Sequence, residues 1–121
     1  MGALAGWRAR KVVSYIESNL SGALVVGALA RTAGISCSRF HRTFRLRFGV
    51  TPHAYVTLKR IQLAQNLMLT TNEPLSQISL ACGMTDQSHL TRLFRRITGE
   101  TPSRWRRWRR AELLQLREKW A

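Results

Sequence analysis

GISCSRFHRTFRLRFGVTP, residues 34–52, and GMTDQSHLTRLFRRITGETP, residues 83–102, are one pattern written twice. From the first apolar position onward the copies keep register: Phe40 with Leu90, Arg42 with Arg92, Phe44 with Phe94, and Arg45 with Arg95. Gly49 then matches Gly99, Thr51-Pro52 matches Thr101-Pro102, and Tyr55 matches Trp105. The second copy carries one extra residue in its turn, since Gly34 to Phe40 is six steps and Gly83 to Leu90 is seven. A duplication of this kind is first of all structural, one supersecondary unit built twice.

Each copy predicts a helix entered through a turn. Gly34 or Gly83 supplies a backbone position tolerant of positive φ, and Ser36 or Thr85 is placed to cap the helix that follows. Phe40 and Phe44, like Leu90 and Phe94, are spaced i, i+4 on one apolar face. Ser38, His41, Arg42 and Arg45 share another face, repeated as Ser88, Thr91, Arg92 and Arg95. A short apolar helix precedes each, Val26 to Ala33 and Leu75 to Cys82. Short helix, glycine turn and basic second helix make the helix-turn-helix pattern, whose second helix enters the DNA major groove. The competing reading is a solvated arginine face; two matched faces in one chain favour DNA.

Composition agrees. The 121 residues suffice for one compact domain or two small lobes. Twenty Lys and Arg against six Asp and Glu give +14, and 17 of the 20 are arginine. Such a charge calls for a polyanion, nucleic acid before an anionic membrane surface. No apolar run approaches a membrane span, and the first residues lack a secretory signal. Two cysteines form no disulfide framework, which points to the reducing cytoplasm. Cys37 and His41 share a face, but two ligands do not make a zinc site, so no metal or cofactor is expected.

In chain order, Trp7 to Leu20 predicts a first helix and Leu24 to Ala33 a supporting helix, with Gly27 costing about 1 kcal/mol against alanine. Ser38 to Phe48 is the first reading helix, closed by Gly49. Pro52 suits the first turn of a helix that runs His53 to Leu69 as a strut, with Tyr55, Leu58, Ile61, Leu63, Ala64, Leu67 and Met68 on a wide apolar face. Residues 70–74 break it, and the second lobe follows. Reading helices about 34 Å apart on such a spacer would enter successive major grooves from one side.

These helix pairs, the joining segment RIQLAQNLMLTTNEPLSQI and the run ACGMTDQSHLTRLFRRITGETPSRWR resemble the AraC/XylS family of bacterial transcription regulators, over about residues 7–108. The resemblance implies an all-α fold of about seven helices, two helix-turn-helix lobes joined by a long central helix. The lobes would be residues 7–51 and 74–108, the joining helix 52–70, and residues 109–121 a basic helical extension. It implies a transcription activator that binds double-stranded DNA at an asymmetric site and touches RNA polymerase, in the cytoplasm on the bacterial nucleoid. Base-reading positions carry over to Ser38, His41 and Arg42 in the first lobe, and to Gln87, Ser88, Thr91 and Arg92 in the second. Ser79, Met84 and Gly27 depart from the family pattern. An effector-binding or dimerisation domain is common in the family; GALAGWRARKVVSYIESNL is similar to the lead-in from one. Both a single-domain member, acting as a monomer on DNA, and the C-terminal part of a longer regulator fit.

Arginine reads guanine with two hydrogen bonds, which singles out Arg42 and Arg92. Arg39, Arg45, Arg47, Arg95 and Arg96 are assigned to phosphate, since positioning contacts outnumber specific ones. Cys37 and Cys82 are expected to be small buried residues. Of the tail, Trp105 and Trp108 are expected to pack on the second lobe, ahead of a membrane-surface role for the basic helix. The alternative function is a non-specific architectural nucleic-acid binder. An enzyme is disfavoured by the lack of a carboxylate pair, nucleophile–base set or phosphate loop.

Overall fold

The computed structural model describes residues 2–120. Among them are seven helices and no strand: α1 Gly6–Ser18, α2 Val26–Ala33, α3 Cys37–Phe48, α4 Pro52–Thr70, α5 Leu75–Ala81, α6 Gln87–Thr98 and α7 Pro102–Trp120. The fold is all-α, as the resemblance implies. The chain divides into two compact units, Met1–Arg60 and Ile61–Ala121, and the border falls inside the unbroken helix α4.

In the first unit, Ala9, Val12 and Ile16 of α1, Leu29, Ala30 and Ala33 of α2, and Phe40 and Phe44 of α3 are all buried, and α2 packs against both α1 and α3. The i, i+3, i+7 spacing on α1 and the small alanines on α2 let the helices pack closely. Phe44 also meets Tyr55 edge-on, ring centroids 5.4 Å apart at 82°. The segment before α1 joins this core. Leu4 is buried, and its N–H donates to the Thr43 carbonyl at 3.1 Å.

The second unit repeats the arrangement. Ile61, Ala64 and Met68 of α4 take the part of α1, against Ile78 and Cys82, then Met84, Leu90 and Phe94. Phe94 meets Trp105 edge-on at 5.5 Å and 73°, as Phe44 meets Tyr55. Such aromatic pairs contribute about 0.5–1.5 kcal/mol beyond their burial.

The turns repeat too. Gly34 has φ 73° and Gly83 φ 74°. In the first turn Ile35 N–H donates to Ala30 O and Gly34 N–H to Arg31 O; in the second Met84 donates to Ser79 O and Gly83 to Leu80 O. Both are Schellman closures, which need a left-handed residue and so favour glycine. Thr51 Oγ1 accepts from Ala54 N–H at 3.1 Å, and Thr101 Oγ1 from Arg104 N–H at 3.3 Å. Pro52 and Pro102 follow at the first helical position, where a missing N–H costs nothing.

Four expectations are corrected. The cap of α6 is Asp86, whose carboxylate accepts from His89 N–H at 2.8 Å, and not Thr85. The extra residue of the second turn lies before the cap, so Ser36 matches Asp86. Cys37 is exposed at the start of α3, while Cys82 is buried. Trp105 packs on the unit, but Trp108, three residues on, is 61% exposed. Leu58 of the expected apolar face is exposed, and Val56 is buried in its place. Ser79 departs from the pattern without an unpaired hydroxyl, which bonds to Leu75 O and Ser76 O at 2.8 and 2.9 Å.

Candidate nucleic-acid interface

At about 100° per residue, Ser38, His41, Arg42 and Arg45 lie within roughly 100° of arc on α3. Phe40 and Phe44 lie on the far side, fully buried. Ser36 caps the helix, its hydroxyl accepting from Arg39 N–H at 3.3 Å, and Gly49 closes it at φ 76°. Core packing therefore fixes which way the polar arc looks. Ser38, His41, Arg42 and Arg45 are all exposed. Among the described residues Arg42 and Arg45 make no hydrogen bond or ion pair, so their guanidinium groups are available to a ligand.

Helix α6 repeats this with Ser88, Thr91, Arg92 and Arg95 opposite Leu90 and Phe94, both fully buried. Gln87 stands at its first position, exposed. The Thr91 hydroxyl donates to Gln87 O at 2.9 Å, leaving its lone pairs and methyl for an outside partner. His89 belongs to the turn: its Nδ1 accepts from Thr85 N–H at 3.4 Å. Arg92, Arg95 and Arg96 are exposed, with no hydrogen bond or ion pair among the described residues. Arg45, Arg95 and Arg96 also sit in the last turns of their helices, where cations offset the helix dipole.

Other arginines are held by the fold. Arg47 lies on the side of α3 away from Arg42, and its Nη1 donates to the Leu4 carbonyl at 3.3 Å. Its counterpart in α6 is Ile97, an apolar residue that could have signalled this from the sequence. Arg8 donates to Ala33 O at the end of α2. Arg60 donates to Leu20 O and Gly22 O beyond α1. Arg106 donates to Met68 O, Thr71 O and Glu73 O, and Arg110 to Met68 O, Thr71 O and Asn72 Oδ1. Burial, with repulsion from Arg110, pulls the Arg106 pKa below its usual value. It remains cationic at neutral pH, because arginine does not deprotonate in proteins. These anchors were invisible as such in the sequence, where they look like every other arginine.

Among the described residues no group of three or more His, Cys, Asp or Glu could hold a metal ion, and no helix is long and apolar enough to cross a membrane. Two exposed helix faces with paired arginines are suited to the edges and phosphates of duplex DNA.

Comparison with known proteins points the same way. Residues 29–108 match the family described as a helix-turn-helix domain. The probable transcriptional regulator LumQ of Photobacterium leiognathi is 38% identical over 92 residues, 76% of this chain and 37% of LumQ. A transcriptional regulator with an AraC-type DNA-binding domain from Chromobacterium violaceum superposes with TM-score 0.79 at 28% identity, covering 84% of this chain and 91% of that one. The DNA-binding domain of AdpA, a global transcriptional factor solved with a target DNA, gives TM-score 0.80 at 30% identity, covering 87% and 94%. The chain spans 37% to 48% of the length of the first curated relatives it matches.

Proposed function

This chain belongs to the AraC/XylS family of transcription regulators, and from that membership we propose that it recognises a specific sequence in double-stranded DNA and regulates transcription, as an activator. The observation that carries the reading is the matched pair of polar arcs, exposed at Ser38, His41 and Arg42 on α3 and at Gln87, Ser88 and Arg92 on α6, with Thr91 half-buried among the latter. Arg42 and Arg92 read guanine edges, and the neighbouring polar side chains read adjacent bases. Arg39, Arg45, Arg95 and Arg96 hold phosphate.

On DNA the two reading helices occupy successive major grooves. One chain therefore fills a site that a helix-turn-helix dimer would otherwise share. RNA polymerase is the partner for activation, and the setting is the bacterial cytoplasm. No catalytic role is assigned.

Selection of bound sequences from a random duplex library tests this. The expected product is an asymmetric site of about two helical turns, bound by one chain and held against excess random duplex. Two chains per site would overturn the monomer reading. Failure to enrich any sequence would leave the chain an architectural binder of backbone.

A further inference from the structure

The outer half of α7 carries a surface that the DNA reading does not use. Near its start the helix faces its own unit through Pro102 and Trp105. The same stripe continues, at helical spacing, as Leu113, Leu116 and Trp120, with Leu69 of α4 beside it. Nothing among the described residues folds over it: Leu113 is 39% exposed, Leu116 51% and Trp120 80%. Leu69 and Leu114 complete a groove of about 580 Å³, with Arg117 in its lining and no residue from α5 or α6. That volume is within the range of a binding cleft.

We propose that this groove docks an acidic amphipathic helix of a partner protein. Its walls are apolar and its charged groups are arginines, the complement of a helix bearing leucines on one face and carboxylates beside them. Between Pro102 and Trp120 seven basic residues stand against two acidic ones. Of the two, Glu112 is already paired with Arg109 at 2.8 Å. Arg117 has no hydrogen bond or ion pair among the described residues. The bonds of Arg106 and Arg110 to the end of α4 hold α7 in place beside Leu69, so the groove exists before its occupant arrives.

Other occupants fit less well. A second copy would bring Arg117 against Arg117 between chains of +14 each. A bilayer surface takes the apolar face of a helix clear of other elements, whereas here Leu69 of α4 stands beside the stripe. Nucleic acid has little to offer a groove walled by leucine and tryptophan.

The test uses the full chain at physiological salt and a synthetic helical peptide with leucine at i, i+3 and i+4 spacing flanked by glutamate. The control peptide has lysine for each glutamate. Fluorescence anisotropy is expected to show saturable binding of the acidic peptide alone. Combined Leu113→Ser and Leu116→Ser should weaken it at least about tenfold. Arg117→Glu should also weaken it by about tenfold or more. Both leucines are exposed, at 39% and 51%, so the variant keeps its fold, checked by unchanged affinity for a selected duplex. Arg42→Ala should leave peptide binding unaltered, which separates the groove from a general attraction of acid to the DNA-binding face. The proposal is overturned by absent binding, by equal binding of the lysine peptide, or by indifference to the leucine and Arg117 variants. It is equally overturned if those variants instead abolish a dimer seen in sedimentation, or partition onto phosphatidylglycerol vesicles.

Discussion

Arg110 does in the second unit what Arg60 does in the first. The two stand at matching positions of the repeat, each on the helix that follows a reading helix. Arg60 reaches back to Leu20 O and Gly22 O past the end of α1, and Arg110 to Met68 O and Thr71 O at the end of α4. Helix ends leave carbonyls without intrahelical partners, and a forked guanidinium satisfies two at once. The duplication therefore extends to the fastening that closes each unit, and Arg106 adds three further bonds in the second.

That fastening predicts a separation of stability from DNA affinity. Arg106→Ala should destabilise the chain by about 1–3 kcal/mol, because the carbonyls it serves lose charged donors. Arg106→Lys should recover only part, since an ammonium cannot span three carbonyls in a planar fork. Neither should alter the dependence of DNA affinity on salt. Urea unfolding and binding isotherms at several salt concentrations measure the two effects. A salt slope reduced by one unit would mean that Arg106 holds phosphate after all.

Three of the four arginines of α3 should behave in three ways. Arg42→Ala is expected to cost about 1–3 kcal/mol at one base position of the selected site and relax preference there alone. Arg45→Ala should weaken binding to every sequence and lower the salt slope by about one unit. Arg47→Ala should leave the slope unchanged, because Arg47 faces Leu4. Uniform loss across all sequences for Arg42→Ala would remove it from the base readers.

Capping gives a sharper local test. Asp86→Ala should destabilise by about 1 kcal/mol, the usual value of a helix cap. Thr85→Ala should cost only a few tenths, since its contacts with His89 are long, 3.4 Å. Reversed magnitudes in chemical denaturation would restore Thr85 as the cap.

Gly27 offers a gain. It lies in the second residue of α2 without a positive φ, and a Cβ there would meet only the Arg31 guanidinium, at 3.7 Å. Gly27→Ala should therefore stabilise by about 0.5–1 kcal/mol through helix propensity. A lower melting temperature would show that the glycine serves some close approach.

Much of this was legible in the chain itself, for local reasons. Phe40 with Phe44, Leu90 with Phe94, and the arginine arcs opposite them are set by helical spacing within a dozen residues. The glycine turns and the Thr-Pro helix starts are equally local, and the repeat confirmed each against its partner. The cap at Asp86 was within reach of the same register. Ile97, the apolar counterpart of Arg47, lies in that register too.

What only the tertiary structure decided is which charges face outward and which hold the protein together. In sequence Arg42, Arg47, Arg60, Arg92, Arg106 and Arg110 are the same side chain in similar surroundings. Arg60 lies 40 residues from the Leu20 carbonyl it serves, and Arg110 lies 42 from Met68. Periodicity settles the direction in which a helix turns its apolar face, because that depends on neighbours one turn away. The partner of a guanidinium depends on which helix end the packed core brings beneath it. Every helix end carries unpaired carbonyls, so no local pattern distinguishes the ones an arginine will meet.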